Sequence, residues 1–338
     1  MRFVPGHALV RGLSMLVLMP LLLLGGACNH GSNSSSAARG GGSGSMATRA
    51  PMPQGSGTPS VASRPMSPQV RAVAHQPAPR QMGRADAPTG RAASVLLVDA
   101  RTGEVLATKN PDQRRQVAST QKLLTALLVV EAGNLDRTIT IQPSDTRVEP
   151  SKLGFAVGDR YTRKQLLEAI LVRSSNDAAL ALARDHSGSV SAFVARMNER
   201  ARELGCQDSN FRNPHGLTEP GQYSTARDVS RIAWVAYRNS TIRSIVQRER
   251  VQFRYANGRV TTLTNTNRLL GSMSGCNGMK TGFTNAAGRC LVSTASSGGR
   301  EVILVQLGSK TAWIFDDARA LKLYGLQSGQ QRRMASVN

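Results

Sequence analysis

The stretch Val117-Ala118-Ser119-Thr120-Gln121-Lys122-Leu123-Leu124-Thr125-Ala126-Leu127-Leu128 constrains the fold more than any other part of the chain. Read as a helix, it is apolar on nearly every side after Lys122, so it offers no polar face to water and has to be buried. Ser119 and Lys122 lie three residues apart and are therefore neighbours on one face of that helix. Burial disfavours an ammonium and lowers the lysine pKa. A neutral amine beside a hydroxyl can take its proton, which makes the oxygen a nucleophile. The plainer reading is an N-cap serine with a solvated lysine one turn on, and a Ser-x-x-Lys match alone does not separate the two.

The regions around this helix differ in kind. Residues 1–28 read as an export signal, with Arg2 and Arg11 at the positive end and an apolar run from Leu13 to Leu24 that is short for a membrane span. Leu24-Gly25-Gly26-Ala27-Cys28 resembles a bacterial lipobox, whose cysteine carries lipid, although its leucine stands one place early; Gly25 and Ala27 equally suit ordinary signal cleavage. Residues 29–92 are rich in Ser, Gly, Pro, Ala and Arg, too poor in large apolar groups to offset ordering entropy, and are expected to form a disordered basic linker. Charge follows the same division. The first 92 residues hold nine arginines, no lysine and one acid, Asp86, which leaves 34 basic and 20 acidic side chains elsewhere. Such a chain suits an anionic envelope. No zinc spacing, recognition helix or interleaved aromatic-basic pattern marks it for nucleic acid.

A folded domain is expected over residues 93–328, with residues 329–338 as a tail. Ser94–Asp99 reads as a buried strand and Glu104–Thr108 as its hairpin partner. The Ser119 helix follows and ends near Gly133. Then come a strand at Thr138–Ile141, a turn at Gly158–Tyr161 and a helix capped by Thr162 that runs to Leu171. Further helices are expected from about Asp177 to Leu182, from Ser191 to Leu204 and from Thr225 to Tyr237. After Gly271 the pattern returns to strands at Asn277–Phe283, Gly288–Thr294 and Glu301–Leu307, and a last helix spans about Ile314–Tyr324. Hairpin links make neighbouring strands antiparallel. The simplest closure joins the first hairpin and the last three strands in one five-stranded antiparallel sheet packed with helices, the other helices forming a second lobe. This is an α+β fold with its site expected in the cleft between lobes.

Two further stretches carry chemistry. Ser174-Ser175-Asn176 falls between helices, where it can project a hydroxyl and an amide, or simply cap the next helix. Lys280-Thr281-Gly282 falls on a strand, where lysine is ordinarily a solvated edge charge. Glycine inside a strand is unusual unless a ligand or another backbone approaches closely. That favours a substrate peptide lying along the strand, with Lys280 and Thr281 reading its carboxylate.

Ser-x-x-Lys, Ser-x-Asn and Lys-Thr-Gly thus occur in order on helix, loop and strand, a set that recurs in β-lactamases and penicillin-binding proteins. The sequence over residues 93–325 resembles the serine D-Ala-D-Ala carboxypeptidases, the low-molecular-mass penicillin-binding proteins. The likeness extends to Asn213-Pro214-His215-Gly216-Leu217, to Tyr223-Ser224-Thr225-Ala226-Arg227-Asp228 and to the segment following Lys280 through Gly288. The middle motif departs from the family's Ser-Asp-Asn in having Ser175 at its centre.

The resemblance implies the DD-peptidase/β-lactamase-like fold and a set of roles. Ser119 would form an acyl-enzyme and Lys122 would act as base. Ser174 and Asn176 would relay the proton and hold the substrate amide. Lys280 and Thr281 would bind the terminal carboxylate, and the Lys280 charge would help keep Lys122 neutral. Backbone N–H groups of Ser119 and of Phe283, just past Gly282, would form the oxyanion hole. It implies peptidoglycan stem peptides as substrate, β-lactams as covalent inhibitors, and no metal or organic cofactor. Membrane attachment would come only through an N-terminal lipid, and the location would be the periplasm or cell envelope.

A D-Ala cross-link endopeptidase shares this site, and the short segment after the sheet leaves no room for the extra β-domain of many family carboxypeptidases. A β-lactamase that deacylates through glutamate needs Glu-x-x-x-Asn between the second and third motifs. Glu199, Glu203, Glu219 and Glu249 are the glutamates there, and none has an asparagine four residues on. A non-catalytic binding protein would not need Ser119, Lys122 and Lys280 together. His215 and Asp177 are read as a turn histidine and a first-turn helix acid rather than members of a Ser-His-Asp set. Cys206, Cys276 and Cys290 allow one disulfide and a free thiol in an oxidising compartment.

Overall fold

The computed structural model describes residues 87–335, so the signal, most of the linker and the last three residues lie outside the described residues. β1 (Ser94–Asp99) is buried along its whole length, as a central strand covered on both faces must be. The Asp99 carboxylate accepts from the Arg101 and Thr102 amides and turns the chain into β2 (Val105–Lys109). A 3₁₀ turn, Ala118–Gln121, then leads into α1 (Lys122–Glu131), which closes through Ala132 onto Gly133 at positive φ. Every α1 residue from Lys122 to Val129 is buried.

β3 (Thr138–Thr140), α2 (Pro143–Thr146) and β4 (Arg160–Thr162) follow, and β4 pairs with β3 where the sequence pattern suggested only a turn. Three residues are too few for a period-two signal to stand out. Thr162 caps α3 (Arg163–Glu168) through a reciprocal exchange with Gln165, and a π-helical turn, Ala169–Arg173, continues it. The helical layer is completed by α4 (Asn176–Ser187), α5 (Val190–Glu203), α6 (Ala226–Arg238) and α7 (Ser240–Val246). Ser189, Thr225 and Asn239 each accept an amide at the start of the last three.

The hairpin β5 (Arg250–Arg254) and β6 (Val260–Thr264) went unread in the sequence. It aims Val251, Phe253 and Leu263 inward, and Phe253 and Tyr255 pack with Phe155 and Tyr161, ring centroids 4.6–6.4 Å apart. β7 (Cys276–Thr284), β8 (Gly288–Ser297) and β9 (Arg300–Ser309) lead to α8 (Ile314–Ala335).

The main sheet has the order β2-β1-β9-β8-β7 and is antiparallel throughout, three pairings being hairpins and the fourth, β1 with β9, closing the two ends of the domain on each other. Alternate residues of β9 face opposite cores. Ile303, Val305 and Leu307 meet α1 and α6, while Val302 and Leu304 meet α8. α8 runs past the expected stop and takes in much of the expected tail. Gly325 is the reason: a Cβ there would press on Leu97, Val302 and Leu106 at 3.0–3.3 Å, so this glycine brings helix and sheet together instead of ending the helix.

Phe253→Ala is expected to cost about 3–5 kcal/mol, because its ring is 1% exposed and wholly packed. Urea unfolding checks this. A loss below about 1 kcal/mol would mean that the β5–β6 hairpin contributes little to the core.

Candidate active site

Ser119 sits in the 3₁₀ turn before α1, held there by Ala118 in left-handed backbone at φ 48°. A non-glycine residue so placed is strained and persists only where its surroundings enforce it. Lys122 begins α1 and is 0% exposed. Its Nζ lies 2.9 Å from Ser119 Oγ, 2.6 Å from Asn176 Oδ1 and 2.6 Å from the His215 carbonyl oxygen. Burial, and after it the charge of Lys280, pushes the Lys122 pKa well below its ordinary value, while Asp177 pulls the other way. In the neutral amine, two N–H groups are taken by Asn176 and His215. In the structure Nζ also donates to Ser119 Oγ, which itself donates to the His215 carbonyl at 3.2 Å; loss of the Lys122 proton would turn the amine's lone pair toward the Ser119 hydroxyl.

The second motif is split between elements. Ser174 ends the π-helical turn at φ 69°, also left-handed. The residue is nearly buried, and its hydroxyl makes no hydrogen bond with the described residues and is not sealed from solvent. Ser175 donates to the Asp177 carboxylate. Asn176 is already the first residue of α4; its amide bridges Lys122 to the Pro150 carbonyl. Asp177 also accepts the Leu153, Gly154 and Ala178 amides at 2.9–3.0 Å, so it is spent on structure.

Lys280, Thr281, Gly282 and Phe283 lie on β7, the sheet's edge strand. Lys280 is not the solvated edge charge a strand lysine usually is. It is 0% exposed, burial pushes its pKa down to about 7, and Nζ donates to the Thr281 carbonyl at 3.0 Å. Thr281 Oγ1 donates to Thr266 Oγ1 at 2.7 Å. Gly282 is explained by close approach, but of protein backbone. A Cβ would stand 2.7 Å from the Ser119 nitrogen and 2.9 Å from the Ala118 Cβ, so only glycine lets β7 lie against the Ser119 turn. Phe283 is half exposed, with the Arg289 guanidinium 4.4 Å above its ring.

The sequence reading missed one contributor because it is a main-chain atom. His215 was read as a structural turn residue, and its ring is that: Nδ1 accepts the Leu217 amide at 3.2 Å, and burial pushes its pKa down to about 3. Its carbonyl, however, holds Lys122. The loop is fixed by Asn213 Oδ1, which accepts the Gly216 amide at 2.7 Å, and by Gln121 and Thr125, which donate to the Asn213 and Pro214 carbonyls. Thr266, the partner of Thr281, gave no sequence signal at all. The three described cysteines are all free, so the allowed disulfide does not form among them. Among the described residues no His, Cys, Asp and Glu side chains gather as a metal site.

The arrangement is a hydroxyl with an adjacent buried amine, beside a second buried lysine on an open strand edge. The family model of the D-alanyl-D-alanine carboxypeptidases, peptidase family S11, matches residues 81–311. The chain is 35% identical over 225 residues to the D-alanyl-D-alanine carboxypeptidase DacF of Bacillus subtilis, a match that covers 65% of this chain and only 58% of that protein. It is 35% identical over 244 residues to a D-alanyl-D-alanine endopeptidase of Pseudomonas aeruginosa, covering 70% and 77% of the two. The crystal structure of the Streptomyces K15 DD-transpeptidase superposes with a TM-score of 0.68 at 35% identity, over 71% of this chain and 98% of that one.

Gly216→Ala is expected to destabilise the protein by about 2–4 kcal/mol. Gly216 stands at φ 90°, and a Cβ there would collide with the Ala118 carbonyl directly beneath Ser119. Denaturant titration measures this, and an unchanged midpoint would show that the loop can move away from the turn without cost.

Proposed function

The chain belongs to the D-alanyl-D-alanine carboxypeptidase family, the low-molecular-mass penicillin-binding proteins, and from that premise we propose a serine hydrolase that removes the terminal D-Ala of peptidoglycan stem peptides. One observation carries the assignment of roles: Lys122 Nζ is fully buried, with two oxygens claiming its hydrogens and Ser119 Oγ 2.9 Å from its remaining valence.

Ser119 Oγ attacks the carbonyl carbon of the penultimate D-Ala, and its proton passes to Lys122. Amides of Ser119 and Phe283 receive the developing oxyanion, donors of a kind that typically contribute a factor of ~10²–10³. The lysine proton then moves to the departing D-Ala nitrogen, with Ser174 and Asn176 at hand as relay and amide holder. The C–N bond breaks and an ester remains. Water, deprotonated by the same amine, cleaves the ester and restores Ser119. Lys280 and Thr281 receive the substrate's terminal carboxylate. A β-lactam follows the first half of this course and stops at the ester.

A second reading is kept because the Pseudomonas relative is named an endopeptidase. Cross-link cleavage uses the same ester and differs only in the amine that leaves. Mass spectrometry of a D-Ala-D-Ala pentapeptide and of a cross-linked dimer after incubation separates the two.

The location and domain limits belong to the proposal as well. The leader over residues 1–28 supports export to the periplasm or cell envelope, with lipid on Cys28 as the only membrane attachment, and residues 29–92 serve as tether to a catalytic domain that begins near residue 93. Among the described residues no helix is long and apolar enough to cross a membrane. No nucleic-acid partner is proposed.

Labelled penicillin should attach to the protein but not to Ser119→Ala, and Lys122→Ala should slow acylation by ~10²–10⁴ with its unfolding transition intact. Labelled Ser119→Ala would end the nucleophile assignment. The pH profile has a sign that follows from Lys280. Its cationic form, the one that attracts carboxylate, is lost as pH rises through about 7, so kcat/KM should fall on that side through a higher KM. Lys280→Arg, which stays charged, should remove that fall. A profile flat from neutrality upward in the native enzyme would exclude Lys280 as the carboxylate's partner.

A further inference from the structure

A second buried lysine cluster lies on the face of the sheet covered by α8, apart from the active site. Lys322 of α8 is 0% exposed. Its Nζ donates to Ser293 Oγ at 2.7 Å and stands 3.2 Å from Cys276 Sγ. Ser293 in turn donates to the Gly278 carbonyl at 3.0 Å, which Asn267 also contacts. Around this group pack Leu269, Met273, Ala295 and Leu321. Among the described residues no acid pairs with Lys322, and Arg319 adds a repelling charge. Burial pushes the Lys322 pKa down, which favours the neutral amine, while Cys276 acts the other way. Nothing in the peptidase chemistry uses it.

Cys276 differs from the other described cysteines in two respects. Cys206 and Cys290 are each 1% exposed, and burial raises both thiol pKa values, whereas Cys276 is only partly buried and has an amine neighbour. Cys276 thus combines partial exposure, which admits a small oxidant, with a nitrogen 3.2 Å from its sulfur.

We propose that Cys276 and Lys322 are an oxidant-responsive cross-link site: hydrogen peroxide converts the thiol to a sulfenic acid, and the Lys322 amine displaces its oxygen to form an S–N bond. In the first step sulfur attacks one peroxide oxygen and the O–O bond breaks. Sulfur loses two electrons, and the other oxygen leaves as water. In the second the Nζ lone pair attacks sulfur and the S–O bond breaks. The oxygen departs as a second water with a proton from nitrogen. One thiol, one amine and one hydrogen peroxide thus give one S–N bond and two waters. Condensation of a sulfenic acid with a backbone nitrogen follows the same course. The bond joins β7 to α8 across 46 residues, on the strand that carries Lys280 four positions later.

The test uses the full chain treated with hydrogen peroxide, alkylated, digested with trypsin without reductant and read by mass spectrometry. The expected product joins the peptides holding Cys276 and Lys322 with the loss of two hydrogens, resists cleavage after Lys322 and reverts with dithiothreitol. Lys322→Met, which keeps an apolar stem in the same space, should lose the product and carry Cys276 to sulfinic or sulfonic acid. Sulfinic or sulfonic Cys276 in the native chain with normal cleavage at Lys322 overturns the proposal. So does a link that retains oxygen, or a Cys276 that peroxide leaves unchanged. Because the decisive readings come from the native chain, a variant that failed to fold would not obscure them.

Discussion

Burial of the Lys122 amine is the constraint on which the rest of the structure depends. An ammonium taken out of water costs several kcal/mol unless its donors are met, and the usual escape is to lose the proton. This protein uses both routes at once. Three oxygens from three separate parts of the chain converge on Nζ, and the lowered pKa leaves one contact to become a proton acceptor. None of the three is close enough in sequence to α1 to arrive there by local structure, except Ser119 itself. In the proposed mechanism the long-range packing of α4 and of the Asn213–Leu217 loop onto α1 is therefore a condition for reactivity as well as for stability.

The same constraint accounts for the backbone strain. Ala118 and Ser174, both non-glycine and both left-handed, flank the pieces that must meet at the lysine. Gly216 and Gly282 let the Asn213–Leu217 loop and β7 press against the turn that carries Ser119. Each of these positions disfavours the local chain, and each is held by the buried core beneath it, since α1 is covered from Lys122 through Val129.

What the sequence made legible follows from this. Ser119, Lys122 and Asn176, singled out by their chemistry, are joined by hydrogen bonds, the Lys280 charge is felt at Lys122, and strands clustered at the two ends of the domain foretold the sheet they form together. The His215 contribution was hidden because a carbonyl oxygen is common to every residue and leaves no mark in composition. The last helix runs past Tyr324 because Gly325 sits close against Leu97, Val302 and Leu106 of the sheet, a packing role that only the neighbouring strands reveal. The β5–β6 hairpin was readable in principle, from the alternation Arg250-Val251-Gln252-Phe253-Arg254 and the turn residues Asn257-Gly258.

The geometry also separates peptidase from β-lactamase chemistry by more than a missing motif. Fast deacylation through glutamate needs a carboxylate beside the ester. All four glutamates between the second and third motifs are exposed, and Glu199 and Glu203 are tied to Arg196 on the outer face of α5. Asp177, the acid whose charge is felt at Lys122, already has the Leu153, Gly154 and Ala178 amides and the Ser175 hydroxyl as partners. Freeing it to serve water would leave those amides unsatisfied, at a cost of about 1–3 kcal/mol each. In the proposed mechanism water activation in the second half-reaction therefore falls to Lys122, and an acyl group that blocks water from that amine would persist. That is the physical basis for reading this site as one that a β-lactam inhibits and does not turn over.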